Sequence, residues 1–267
     1  MSEAGFESCE FEASQLMSFS LGIAPGRLNF IFNDEISPGE AEAFDLAVKR
    51  RLTHEPLQYI LGEWDFYSKT FKVGKGVLIP RPETEGLVDI CLEKLRYIDS
   101  PVIIDLCAGS GCIAITLARL LPSSRVFAVE KYDDALFYLN KNISFFSLNN
   151  VKAVKGDIFD SSLALSLPKA DAVVSNPPYI SSEDIPLLQK EVKCEPRTAL
   201  DGGSDGIDFY RAIRSNFSVN PGGFFAFECG ENQSGLICDL FDAYPNKQVY
   251  RDIYGVERFV FVERLSE

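Results

Sequence analysis

The sequence holds a single histidine, His54. That scarcity excludes zinc sites built on paired histidines and most Ser–His–Asp hydrolases. It has seven cysteines, an odd number, widely scattered and without CxxC spacing. Such usage reads as reduced, cytoplasmic thiols rather than a disulfide framework. Long apolar runs are absent, and nothing approaches the ~20 residues of a membrane span. The opening MSEAGFESCE is acidic, with no basic stretch ahead of an apolar one, so it does not read as a secretory signal. Positive charge is in deficit: 26 Lys and Arg face 39 Asp and Glu, for a formal net charge of −13. That balance argues against a broad grip on a phosphate backbone, although a local basic patch stays compatible with it. Apolar residues are plentiful. They make up 46% of the 267 residues, with 21 Phe and 10 Tyr. This is enough for one full domain and a smaller one, and it is not the composition of a disordered chain.

The acidic excess is concentrated near the start. Residues 1–65 carry twelve Asp or Glu against four Lys or Arg. Ser37-Pro38-Gly39-Glu40 reads as a helix start, with Ser capping, Pro at the first helical position and Glu reaching back. Phe44, Ala47, Val48 and Leu52 follow at helical spacing. Phe11 to Leu21 predicts a second helix ending near Gly22 and Pro25, so residues 1–58 read as a small helical domain. His54 lies near a helix end, where structural duty outweighs chemistry. Within residues 59–80 the period changes: Trp64 and Phe66, then Phe71 and Val73, alternate about Tyr67-Ser68-Lys69 as in a β-hairpin linker. A helix carrying Leu87, Val88, Cys91, Leu92 and Leu95 follows the proline-stiffened turn at residues 80–85.

From residue 101 strands and helices alternate. Strands are expected at 102–106, 126–129, 151–154, 172–174 and 224–227, with a terminal hairpin from 248–253 and 258–262. Helices are expected at 112–121, 133–146 and 209–217. Short apolar strands between helices predict an open α/β sheet covered on both faces, over 81–267.

Three strand ends bring acidic groups to one rim. Asp105 begins the turn Asp105-Leu106-Cys107-Ala108-Gly109-Ser110-Gly111, where Gly109 and Gly111 let backbone pass close to a ligand. Glu130, nineteen residues after Gly111, ends the next strand and is placed to accept from a ribose diol; Asp157 follows the third. A dinucleotide and an S-adenosyl ligand both satisfy this pattern. Asn176-Pro177-Pro178-Tyr179 follows the fourth strand. Its prolines lack N–H groups and keep their carbonyls, Asn176 adds another carbonyl, and Tyr179 adds an aromatic wall. A rigid loop rich in acceptors suits a substrate –NH2 group.

This motif resembles that of S-adenosylmethionine-dependent methyltransferases acting on planar nitrogen. The chain as a whole resembles the glutamine-N5 methyltransferases of peptide chain release factors. The matching stretches are Pro56–Gly62, Val77–Glu85 with its Ile-Pro-Arg-Pro-Glu-Thr-Glu run, Glu195–Gly203, Asp205-Gly206 and Glu228–Gln233. The resemblance implies a class I methyltransferase fold, with a mostly parallel seven-stranded sheet and a terminal antiparallel hairpin. It implies that Glu130 holds the cofactor ribose, Asp157 the adenine, and the Ile79 to Arg81 turn the methionine end. Asn176 and the Pro177 carbonyl would hold the substrate amide, beside Pro178 and Tyr179. Family members usually carry glycine where this chain has Cys107, commonly Thr at Ala108, and an aliphatic residue at Cys229. The cofactor turn is expected to survive these changes, and Cys107, Cys112 and Cys229 read as bystanders.

An amide nitrogen is a poor nucleophile, and no strong general base is evident. Fixing the –NH2 with two acceptors opposite the sulfonium methyl is the expected strategy, and no metal is required. S-adenosylhomocysteine is the expected product. The rival is an N-methyltransferase of an exocyclic base amine, which must hold a flipped base and track phosphates. The charge of −13 weighs against it. The expectation is therefore a cytoplasmic monomer with release factors as substrates and with neither nucleic-acid nor membrane binding.

Overall fold

The structure, a computed structural model, describes residues 6, 8–31 and 33–266. Helix α1 (Cys9–Leu21) stops at Gly22, whose φ of 64° suits glycine. Helix α2 (Pro38–Leu52) begins with the expected capping box. Glu40 N donates to Ser37 Oγ at 3.3 Å, and Ser37 N donates to Glu40 Oε2 at 2.7 Å. A short helix, α3 (Leu57–Leu61), closes the unit around Leu16, Ala47, Leu57 and Ile60. Leu52, expected on the buried face, is exposed at the helix end.

Strands β1 (Glu63–Phe66) and β2 (Lys69–Lys72) form the hairpin, with Trp64 opposite Phe71. Tyr67 and Ser68 between them both take positive φ, 51° and 56°, the two-residue turn whose twist matches the flanking strands. Residues 59–61 belong to α3, so pairing begins only at Glu63.

The seven-stranded sheet contains β3 (Val102–Leu106), β4 (Arg125–Glu130), β5 (Val151–Lys155), β6 (Ala170–Ser175), β7 (Val219–Glu228), β8 (Asn246–Arg251) and β9 (Glu257–Glu263). Their order is β5-β4-β3-β6-β7-β9-β8. Pairs are parallel up to β7 and antiparallel for β7–β9 and β9–β8. Helices α4 (Glu85–Leu95), α5 (Cys112–Leu120), α6 (Asp133–Phe145) and α8 (Asp208–Asn216) stand where the periodicity predicts them. Along each strand the alternation sorts side chains to two cores. Ile103, Val174, Phe224 and Ala226 meet Leu87 and Ile115 on one face; Ile104, Val173, Phe225 and Phe227 meet Tyr210 and Ile237 on the other. Each buried Val, Leu, Ile or Phe side chain among them contributes about 1.5–3 kcal/mol.

Four elements differ from expectation. Strand β7 starts at Val219, because Asn220-Pro221-Gly222-Gly223 is carried through a register shift opposite Ala170 and Ala172. Ile253 lies beyond β8 in the turn and is exposed. Helices α7 (Ser161–Ser166) and α9 (Ser234–Leu240) were not anticipated, since each is under two turns and buries few apolar side chains. The strand order reverses between β3 and β6, and a cleft opens at the carboxyl ends there, where ligands bind in such sheets.

Candidate active site

The turn after β3 forms the cleft floor. Ala108 N donates to Val129 O at 2.9 Å and Gly111 N to Ala108 O at 2.8 Å, tying the turn to β4 and starting α5. Gly111 sits at φ 82°, and a Cβ there would lie 2.5 Å from Leu139 Cδ1, so only glycine fits. Asp105 is fully buried beneath this turn. Its Oδ2 accepts from Ala114 N at 3.0 Å, and Oδ1 has no partner among the described residues. Burial pushes its carboxyl up to about 8, against the Ala114 N–H and with Glu130 nearby.

Glu130 lines the cleft and accepts from Gly109 N at 2.9 Å, Lys131 N at 2.8 Å and Tyr132 N at 2.9 Å. Burial raises its pKa while the three N–H groups pull the other way. Asp157 lines the cleft too, taking Phe159 N at 3.0 Å and the Lys131 ammonium at 2.7 Å.

On the opposite rim, Asn176 Nδ2 donates to Thr84 Oγ1 at 3.2 Å, and the Thr84 hydroxyl donates to Glu228 Oε2 at 2.6 Å. Tyr179 turns inward, its hydroxyl 3.5 Å from Glu228 Oε1. Among the described residues no N–H donates to the Pro177 carbonyl. The structure thus brings Arg81, Gly109, Glu130, Asp157, Asn176 and Pro178 together around one cleft. Asp105, Gly111, Pro177 and Tyr179 do not line it. The first two shape the floor from below, and Tyr179 anchors the rim.

Two family models match: the PrmC N-terminal domain over residues 1–62 and the methyltransferase small domain over residues 87–203. A release factor glutamine methyltransferase of Thermodesulfovibrio yellowstonii is 36% identical, over 95% of this chain and 92% of its own length. One of Moorella thermoacetica is 37% identical, over 100% and 95%. This chain belongs to the release factor glutamine methyltransferase family. With that membership the expected activity, methylation of a release-factor glutamine, stands. Among solved structures, a Thermus thermophilus 16S rRNA N2 methyltransferase in complex with AdoMet and guanosine superposes with a TM-score of 0.52 at 19% identity. The match covers 76% of this chain and 49% of that one, and it shows the shared class I fold.

The family's motif stretches prove to be contact partners. Glu195, buried, accepts from Ile79 N at 3.0 Å and pairs with Arg81, so the 195–203 segment holds the Ile-Pro-Arg turn. Gln233 Nε2 donates to Tyr179 O at 2.8 Å while its Oε1 accepts from Gly230 N at 2.9 Å. A Cβ on Gly206 would fall 2.3 Å from Tyr179 O, so this glycine lets its loop lie against the Asn-Pro-Pro-Tyr backbone. Thr84, Glu195 and Gln233 stand inside motif stretches, but their roles depend on tertiary partners more than fifty residues away: Asn176 and Glu228 for Thr84, Ile79 and Arg81 for Glu195, and Tyr179 for Gln233. Lys131, the partner of Asp157, carried no sequence signal.

Where family members usually have glycine, Cys107 sits at φ 60°, and the turn keeps its hydrogen bonds. A left-handed non-glycine residue costs about 1–2 kcal/mol. Burial pushes the Cys112 and Cys229 thiols up to about 12 and Cys107 well above its ordinary value. They are protonated thiols and poor nucleophiles. His54 joins the helical unit to the segment between β6 and α8: its Nδ1 lies 3.0 Å from Glu191 Oε1.

Proposed function

We propose that this chain transfers the methyl group of S-adenosylmethionine to the side-chain amide N5 of a glutamine in peptide chain release factors, without a metal, leaving S-adenosylhomocysteine and a proton shed by the methylated nitrogen. The observation that carries this reading is Asn176, held through its Nδ2 on Thr84 at the edge of the cleft, which leaves Oδ1 as an acceptor. The cleft fits the cofactor. Gly109 leaves open space above it, a Cβ there meeting only Val77 at 3.8 Å, and the Glu130 and Asp157 carboxylates both line the cleft. S-adenosylmethionine supplies an electrophilic methyl group on sulfur when bound. Glu130 already fills three of about four acceptor positions. It takes one ribose hydroxyl directly and a second by sharing the Gly109 contact. Asp157 accepts from the adenine amino group. Arg81, held by Glu195, closes the methionine end. Asn176 Oδ1 and the Pro177 carbonyl accept the two amide hydrogens of glutamine and fix its nitrogen toward the methyl group.

In this reading residues 1–58 recognise the release factor, 59–80 link, and 81–267 catalyse. The acidic helical unit steers a basic partner. No helix among the described residues is long and apolar enough to cross a membrane. We place the protein in the cytoplasm as a monomer that does not bind nucleic acid directly. The test measures kcat, cofactor Kd and thermal stability for Asn176→Ala and Asn176→Asp, with intact release factor as substrate. Asn176→Ala is expected to bind cofactor normally and lose at least a hundredfold in kcat, the scale of removing one preorganised polar group from a reacting centre. Asn176→Asp is also expected to be poor, since the donor to Thr84 is lost. Near-normal kcat in folded Asn176→Ala would remove Asn176 from the mechanism. Methylation of an oligonucleotide in preference to the factor would favour the base-amine reading.

A further inference from the structure

Three motif stretches far apart in sequence meet under the rim through Thr84, Asn176 and Glu228. Thr84 and Glu228 are each 2% exposed, so bulk water offers them no alternative partners. A hydroxyl carries one hydrogen. When Thr84 gives it to ionised Glu228, Thr84 Oγ1 is left only to accept. The group of Asn176 facing it is then the –NH2. The two ends of a side-chain amide are nearly the same size, so shape alone does not orient it.

We propose that Glu228 is a positioning residue that, through Thr84, sets which end of the Asn176 amide meets the substrate nitrogen. The inference rests on the reading that Asn176 Oδ1 accepts a substrate amide hydrogen. A reversed amide would set a donor against a donor. The geometry supplies a one-way chain, Asn176 to Thr84 to Glu228, steadied by the Tyr179 hydroxyl on the second carboxylate oxygen.

The chain has a defined failure mode. Burial pushes the Glu228 carboxyl up to about 7, opposed by the Thr84 hydroxyl, Arg258 and Tyr179 and reinforced by Glu83. Cys112, Cys229 and Tyr210 also lie in its field, and all three have raised pKa values. Protonated, Glu228 donates to Thr84, whose own hydrogen then turns to the Asn176 oxygen. Turnover should therefore rise with pH as Glu228 ionises.

The experiment measures kcat at saturating S-adenosylmethionine and release factor, alongside cofactor Kd and melting temperature. Thr84→Val keeps the shape and deletes both hydrogen bonds; at least a tenfold loss in kcat is expected, with Thr84→Ser recovering most of it. The sharper arm is a suppressor. Asn176→Asp leaves two acceptors competing for one Thr84 hydrogen. Adding Glu228→Gln supplies a donor to Thr84 and frees that hydrogen for the new carboxylate. The double variant is expected to exceed Asn176→Asp at least fivefold in kcat, and Glu228→Gln alone to flatten the rise of kcat with pH. Losses that simply multiply in the double variant, or a pH profile unchanged by Glu228→Gln, overturn the proposal. Asn176→Ala separates the two failures. If it keeps kcat, the assignment of Asn176 fails and this inference falls with it. If it is inactive while the double variant shows no suppression, only the Glu228–Thr84 chain fails.

Discussion

In the N-terminal helices the buried apolar cluster is Leu16, Ala47, Leu57 and Ile60, whereas the sheet domain encloses two extended cores, one on each face. The helical unit makes up the difference with charge. Arg51, almost wholly buried, forks onto Glu12 at 2.6 and 3.0 Å, reaches Glu191 in the segment after β6 at 3.2 Å, and stacks 4.1 Å over Phe6. Phe30 and Leu46 remain well exposed. A unit this small cannot exclude enough water to set its own position by packing. Directional polar contacts therefore set it, while close packing sets the geometry of the cleft.

The largest effect expected of this contrast is Phe227→Ala. That ring lies fully buried against Phe241 and Tyr210, and its loss should cost about 3–5 kcal/mol of unfolding free energy and abolish cofactor binding along with it. A denaturation curve checks this; a change under 1 kcal/mol would mean the sheet core repacks freely. Next in size, Arg51→Ala strands the partly buried carboxylates of Glu12 and Glu191, worth about 1 kcal/mol. It should raise KM for intact release factor while leaving cofactor Kd unchanged. A matching loss of cofactor affinity would show that the two units do not act separately.

The sheet domain also pays for its site in buried carboxyls. Asp105, at about 8, lies above its unfolded value of about 3.9, so the folded state holds the proton longer. The stability this provides is complete below about pH 4 and is lost as pH rises through 8. Between pH 7 and 8 the loss is about 1 kcal/mol. Asp105→Asn should flatten that slope in melting curves. An unchanged slope would assign it to Glu228 or elsewhere. The smallest effect is Ser37→Ala, which removes the α2 cap for about 1 kcal/mol and should change release-factor KM without changing kcat on a short glutamine peptide. Loss of kcat on the peptide would tie α2 to the cleft.

The order of elements was legible because burial imposes a period. Strands such as Ala170–Ser175 and Val102–Leu106 are short, mostly apolar runs, and α4 repeats its apolar residues at helical spacing. Short helices such as α7 and α9 escaped because one or two turns supply too few repeats. In the site, Glu130 and Asp157 were readable from their places at strand ends. Thr84 and Glu228 were not, because a hydrogen bond spanning 144 residues leaves no mark in local spacing.

Fold class, family and the rim that carries the candidate site can all be read along the chain. Periodicity, strand-end residues and the Asn-Pro-Pro-Tyr run are local properties that survive without coordinates. Only the tertiary structure decided that Asp105 and Gly111 lie beneath the cleft rather than in it, and that Tyr179 turns inward to Glu228. It alone joined Arg51 and His54 to Glu191 across the units. Those outcomes depend on which buried polar groups find partners at a distance, and that is settled by packing the elements together.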